Sequence, residues 1–402
     1  MNKMQPVVLH QISNFSSGLG NSILAITIPW LILERTGSPT FAGLVAAAST
    51  LPAIFISPIG GWLADHIGRR VVSIGADLLS ALSVAAFPLA ALTVGLTDPL
   101  ILVIAIAGAS FDPAGYTARK TMLADVAKSS KVDLDRLNGI HEGFMGVAWI
   151  FGPAVGAVLI AVVGSINSFW VSAALFLVAA IAVALLRIGD SGRDARQRAA
   201  ASGNKEGTSV LIGLTTLWRD KLLRTLSIAI LVLVGVYLPT EAVVLPTYFE
   251  SSNSPGALGL VVSSIATGGA IGAFGYGWIS ARIQRRNLIR LILLGCAASV
   301  LAMALLPPLP LLMAAGFLLG LSWGPFNPLM NSLVQERVPG ALHGRVFGVQ
   351  ASAFYAAPPL GMVLTGLSVE RLGINSTYLI LGGVLAVTAC VALLAKPLRE
   401  KL

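Results

Sequence analysis

The stretch "GGWLADHIGRR" at residues 60–70 places an aspartate, a histidine and two arginines within six positions of an otherwise apolar region. A second stretch, "GWISARIQRR" at 277–286, repeats the Gly-Trp and Arg-Arg pairs 216 residues later and has no aspartate. Two more echoes follow in the same order. Phe111-Asp112-Pro113 returns as Phe326-Asn327-Pro328, and Gly139, Pro153 and Gly156 return as Gly344, Pro358 and Gly361. Three ordered echoes describe a duplicated unit, and parallel repeats with a site between them are a transporter architecture.

Composition sets the class. Of 402 residues, 55% are hydrophobic and 11% charged, with mean hydropathy +0.83, whereas soluble domains carry about 25% charged residues. The apolar runs are long enough to cross about 30 Å of hydrocarbon as helices. The pattern predicts an all-α membrane protein of twelve transmembrane helices in two six-helix pseudo-symmetric bundles. The predicted helices are 7–33, 41–64, 70–94, 99–119, 138–163, 168–187, 222–249, 256–280, 287–306, 309–331, 344–369 and 375–395. They divide into an N-terminal bundle over 1–187, a cytoplasmic linker over 188–221 and a C-terminal bundle over 222–402. The linker contains "GDSGRDARQRAAASGNKEG", a flexible composition.

Charge orients the helices. With residue 1 in the cytoplasm, all but Arg35 and Arg371 of the 27 Lys and Arg fall on the cytoplasmic side. That asymmetry puts both termini inside a plasma membrane, the inner membrane of a bacterium. The net charge of +9 therefore reports topology, and no nucleic-acid partner is expected. The first apolar stretch is too long and too polar in its early turns for a cleaved signal peptide. Cys296 and Cys390 both fall in apolar segments and suggest no disulfide.

Residues Gly61 to Arg70 resemble the signature loop between the second and third helices of the major facilitator superfamily, with His66 where a basic residue usually follows the aspartate. With the twelve-helix plan, the resemblance covers essentially the whole chain. "TGSP" at 36–39 and "GALHGRVFGV" at 340–349 resemble the multidrug, macrolide and siderophore exporter branch. Gly152-Pro153-Ala154-Val155-Gly156 is similar to the core of the drug/proton antiporter motif, with Ala157 in place of its closing glycine. Helix packing through small residues explains the same stretch without coupling.

The resemblance implies that Asp65 docks on the cytoplasmic start of the eleventh helix, near Gly344, while Arg69 pairs with Asp125 at the end of the fourth. Gly61 allows close packing and Gly68 a sharp turn. A carboxylate at a helix N-terminus gains about 0.3–1 kcal/mol when exposed and up to about 2 when partly buried. The implied device is a latch between the halves, separate from the substrate site.

Intramembrane carboxylates are costly and mark ion pathways. Asp112, Glu241, Glu142 and Asp77 are the proton-coupling candidates, with Asp112 first because it falls near the middle of its helix. Asp112 before Pro113 also suits a cap after a proline break, a role Asn327-Pro328 would keep. Arg119 and Lys120 are expected to snorkel to the interface. Asn14, Ser17 and Asn21 share one helix face, which fits a cavity wall and fits hydrogen bonding between helices equally. Asn327, Trp149, Tyr237, Trp323 and Tyr355 complete the substrate-cavity candidates.

An embedded enzyme is disfavoured. His10, His66, His141 and His343 are dispersed, and "HEGFM" at 141–145 lacks a zinc-protease helix's second histidine. No cofactor or metal is expected. The predicted function is a monomeric, proton-coupled secondary exporter of small amphiphilic molecules, with protons and membrane lipids as its other partners. A lipid or lysolipid translocator and an uptake permease are the alternatives.

Overall fold

A computed structural model of the chain describes residues 4–188, 210–339 and 342–395. Every regular element among them is helical: α1 (Gln5–Thr36), α2 (Pro39–Ile67), α3 (Arg69–Thr93), α4 (Asp98–Ser130), α5 (Leu134–Val163), α6 (Ser165–Ala184) and a short α7 (Val210–Arg219). Then come α8 (Lys221–Ser251), α9 (Pro255–Ser280), α10 (Arg285–Ala304), α11 (Leu309–Arg337), α12 (His343–Leu372) and α13 (Ile374–Leu394). Eleven of these helices are long and apolar enough to cross a membrane, and α12, at 30 residues, is long enough to be the twelfth.

Two expectations are corrected here. The linker is not unstructured throughout, because its last part forms α7, whose apolar residues Leu214 and Leu217 recur at helical spacing. The fourth helix does not stop at Arg119-Lys120 but runs on to Ser130. The segment "TMLADVAKSS" at 121–130 buries Met122, Leu123 and Val126 on one face, enough to carry the helix about 16 Å past Arg119.

The chain forms two compact units, residues 1–35 with 48–206 and residues 36–47 with 207–402. In the first, α3 stacks on α6 through Phe87 and Phe169, whose ring centroids lie 4.5 Å apart. α5 meets α1 where a Cβ on Gly152 would overlap Ser22, and one on Gly156 would lie 3.2 Å from the Ile23 carbonyl oxygen. Pro153 sits inside α5 without breaking it.

The second unit repeats this contact. A Cβ on Gly361, the echo of Gly156, would overlap the Gly235 carbonyl of α8. There α9 and α11 also approach backbone to backbone, through Gly268 and Gly272 on one helix and Gly320 and Gly324 on the other. Small residues permit such contact, and dispersion between close helices replaces the hydrophobic drive that lipid cannot supply. α8 carries a π turn at Thr240–Val244, and α11 is interrupted at Gly324-Pro325.

Candidate functional site

The first unit holds a buried ionic cluster built by α1, α3 and α4. Arg119 Nη1 donates to both carboxylate oxygens of Asp77, at 2.7 and 2.8 Å, and both side chains are 2% exposed. Its Nη2 donates to Ser17 Oγ at 2.8 Å and lies 3.7 Å from Asp112 Oδ1. Asn21 Nδ2 donates to the same Asp112 oxygen at 2.8 Å and to the Ser17 carbonyl at 3.0 Å.

The sequence spacing makes this possible. Asp112 and Arg119 are seven residues apart, and so are Asn14 and Asn21, so each pair lies on one face of its helix. Gly115 keeps that face of α4 open, since a Cβ there would lie 3.0 Å from Ala76 and 3.3 Å from the Arg119 guanidinium.

One guanidinium faces two carboxyl groups in this cluster. Asp77 is held by two charge-assisted hydrogen bonds, while Asp112 stands at longer range from the arginine and is 29% exposed. Asp112 is the more accessible of the two carboxyl groups.

Arg119, at the centre of this cluster, is the residue that sequence reasoning misplaced. It was expected at the interface because the fourth helix was expected to end there. Two signals pointed to it: the amphipathic run after Lys120, and an intramembrane aspartate on the preceding helix needing a cation. Asp112 caps no second segment either, because α4 passes through Pro113 without a break.

α1 presents its polar face to neighbours within its own unit. Asn14 Nδ2 donates to the His141 carbonyl at 3.3 Å, and Asn14 and Ser17 are buried, so both act between helices rather than at an open wall. His10 and His141, distant in sequence, meet with ring centroids 5.6 Å apart, and His10 Nε2 donates to the Arg119 carbonyl at 3.0 Å. Glu142 stands apart from the cluster, exposed and paired with Lys120 at 3.2 Å. Trp149 is 46% exposed.

Around the signature loop, Gly68 has φ of +104°, a backbone conformation that favours glycine. Arg69 Nη1 donates to Asp125 Oδ2 and to the Thr121 carbonyl, both at 3.0 Å. Arg70 donates to the Val183 and Ala184 carbonyls, a cation on the last turn of α6. Gly61 and Gly344 lie within α2 and α12, and the side chains of Asp65 and Tyr355 lie outside what is described.

The second loop repeats the arginine's task with a different partner. Arg285, the echo of Arg69, pairs with Glu336 at the end of α11. Arg337 then donates to Asp220 at 3.1 Å, and Asp220 also accepts the Leu222 and Leu223 N–H groups at 2.9 Å, capping α8. Burial acts to raise the Asp220 carboxyl. The Leu223 N–H, the Arg337 hydrogen bond and charge, and the Leu222 N–H outweigh it and hold the group below its ordinary value.

Glu241 lies in the π turn of α8 and accepts from Tyr237 Oη at 2.9 Å. Tyr237 stacks on Trp323, which stacks on Phe326, at centroid distances of 5.7 and 5.5 Å. Asn327 is exposed and lines a cavity of about 350 Å³ among α7, α8, α11 and α12. Among the described residues no group of three or more His, Cys, Asp or Glu could hold a metal ion. Cys296 is buried and Cys390 exposed, both free thiols.

A membrane-spanning helical protein with a repeated plan and a buried charge cluster in one half belongs to the class of solute transporters. The sequence profile of the Major Facilitator Superfamily matches residues 12–248 and 240–402, so the chain is a member of that superfamily. It is 39% identical to the multidrug efflux pump Tap of Mycolicibacterium fortuitum, over 99% of this chain and 97% of that one. It is 25% identical to macrolide efflux protein A of Streptococcus pyogenes, over 94% of this chain and 92% of that one. The fold matches a mutant of the nucleoside transporter NupG with TM-score 0.83 at 15% identity, covering 98% of this chain and all of the other.

Proposed function

We propose that the chain exports small amphiphilic molecules across the bacterial inner membrane by alternating access, driven by protons entering in exchange. Export is carried by the likeness along nearly the whole chain to a multidrug efflux pump and a macrolide efflux protein. Proton coupling is carried by one observation, the two carboxylates that share Arg119 inside the first unit.

In this reading Asp77 is the fixed counter-ion of Arg119 and Asp112 is the proton carrier. Protonating Asp112 removes its attraction to the guanidinium and leaves Arg119 wholly with Asp77. The hydrogen bonds from Asn21 and Arg119 then rearrange, and these tie α1 to α4 and α3. A proton is thereby converted into a change of contact between helices. Glu241, hydrogen-bonded to Tyr237 and set in a π turn, is the corresponding titratable group of the second unit.

Both termini are cytoplasmic in this reading, and residues 1–187 and 222–402 are the two halves that exchange access. Arg69 and Asp125 hold the cytoplasmic end of the first half, with Asp65 as the state-dependent contact of the loop. The substrate is a small molecule, neither a cofactor nor metal is required, and the protein works as a monomer among membrane lipids.

The test is efflux from proteoliposomes under an imposed pH gradient, screened over amphiphilic drugs. Transport that accelerates with the gradient and collapses when a protonophore dissipates it supports the reading. Transport indifferent to the gradient removes proton coupling, and a chain that moves none of the panel in either direction removes export.

A further inference from the structure

The cavity of about 350 Å³ in the second unit has a chemistry unlike that of the first unit's cluster. Its walls include Leu217 of α7, Ile230 of α8, Phe326 of α11 and Val349 of α12. Its polar groups are Ser227, Asn327, Asn331 and Gln350, and no ionisable side chain lines it among the described residues. Two of these polar groups have buried atoms with no hydrogen-bond partner among the described residues, Gln350 Nε2 and Ser227 Oγ.

Each buried, unpaired polar atom costs free energy, so a native structure that keeps two in one chamber calls for a reason. A ligand offering an acceptor to Gln350 Nε2 removes one such cost. The volume falls in the range of small-molecule sites, which are mostly apolar with a few placed polar groups. A charged ligand would enter without a counter-ion and lose its hydration uncompensated. A neutral one would not.

We propose that this chamber binds uncharged, ring-bearing molecules through a carbonyl or ether oxygen that accepts a hydrogen bond from Gln350 Nε2, with α7 as one wall. It rests on the export reading for its purpose but not for its chemistry. The division that follows is a proton site in the first unit and a neutral-amphiphile site in the second. Asn327, Asn331 and Ser227 supply further hydrogen-bonding positions for molecules with more than one polar group.

Benzophenone is a suitable probe, being a neutral diaryl ketone that cross-links to nearby C–H groups under near-ultraviolet light. The full chain in lipid nanodiscs is irradiated with it, and the adducts are mapped by mass spectrometry. Adducts should concentrate on the lining residues of α8, α11 and α12. Gln350→Leu should lower their yield about tenfold at limiting probe, the scale of one lost hydrogen bond. Ile230→Trp, which fills the chamber, should abolish them, and size-exclusion chromatography reports whether each variant is folded.

Adducts spread evenly over the helices and unchanged in both variants would overturn the proposal. If either variant does not fold, the other and the wild-type map still decide it. Chamber labelling in a chain that shows no gradient-driven efflux overturns the export reading alone. Efflux without chamber labelling overturns this one alone.

Discussion

In the first unit α3 meets α4 through Asp77 and Arg119, two charges that are each 2% exposed. In the second, α9 meets α11 through Gly268, Gly272, Gly320 and Gly324, with no side chain between the backbones. The two halves share one pattern, visible in the matched Gly-Trp, Arg-Arg and Pro-x-x-Gly spacings, yet these two helix contacts are made by different means. A charge network can change with a proton, whereas a glycine seam has nothing to titrate. In the proposed reading ion coupling falls chiefly to the first unit's charge cluster, with Glu241 as the titratable group of the second.

The sharpest way to break that comparison is Arg119→Met. It leaves Asp77 buried and unpaired, and breaking a buried ion pair costs about 3–5 kcal/mol. Thermal unfolding in detergent should show that loss, and Arg119→Met with Asp77→Leu should recover most of it without restoring transport. Stability unchanged by the single replacement would mean that the cluster is not a structural unit.

Asp112→Asn should separate coupling from folding. The carboxamide keeps an oxygen for Asn21 but carries no transferable proton, so gradient-driven efflux should fall about a hundredfold, equivalent to about 2.7 kcal/mol. Stability should change by less than 1 kcal/mol, because the residue is already 29% exposed and weakly paired. Equal loss in Asp77→Asn and Asp112→Asn, with no difference in stability between them, would erase the distinction between fixed and titrating carboxylate.

In the second unit the matching lesion is Gly320→Ala, whose added Cβ runs into the Ile265 carbonyl of α9. Overpacking of this kind costs about 1–3 kcal/mol, read as a drop in unfolding temperature at unchanged pH dependence of transport. A change in the pH profile would show that the seam participates in coupling.

The loop arginines give a smaller contrast. Arg69→Ala removes the 3.0 Å ion pair from Asp125, whose side chain is 5% exposed, and should cost about 1–3 kcal/mol. Arg285→Ala frees a half-exposed Glu336 and should cost about 0–1 kcal/mol in the same unfolding measurement.

The smallest effect concerns Asp220. Its folded carboxyl titrates below the unfolded one, so its contribution is present above the ordinary carboxylate range and is lost as pH falls through the lower folded value. Unfolding followed between about pH 5 and 3 should show a shallow loss in the wild type. Arg337→Ala should make that loss smaller, because the folded carboxyl then titrates closer to the unfolded one.

How much of this was legible depended on whether a feature lies along one helix or between two. The duplicated plan and the basic loops were readable from spacing, and the Arg69–Asp125 pairing was implied by the resemblance to the family's motif. Gly152 and Gly156 were readable as packing residues because no other residue permits so close an approach. Arg119 was misjudged because the helix was ended at the first charged pair, and helix ends cannot be placed by hydropathy when an amphipathic run follows. Glu336 was overlooked as the partner of Arg285 because the echo of Asp125 has slipped by about one helical turn.

The sequence by itself determined a membrane protein of repeated helices joined by basic loops. Those properties are sums along the chain, of apolar length and of charge. The tertiary structure alone decided which charges meet. Asp77, Asp112, Arg119, Ser17 and Asn21 come from three helices, and their contact depends on each helix's rotation and height against its neighbours. Neither quantity is written in any one helix, since packing between helices sets both. The aspartate of "GGWLADHIGRR" drew notice as a charge in an apolar chain, and a buried cluster of charges proved to lie one and two helices further on.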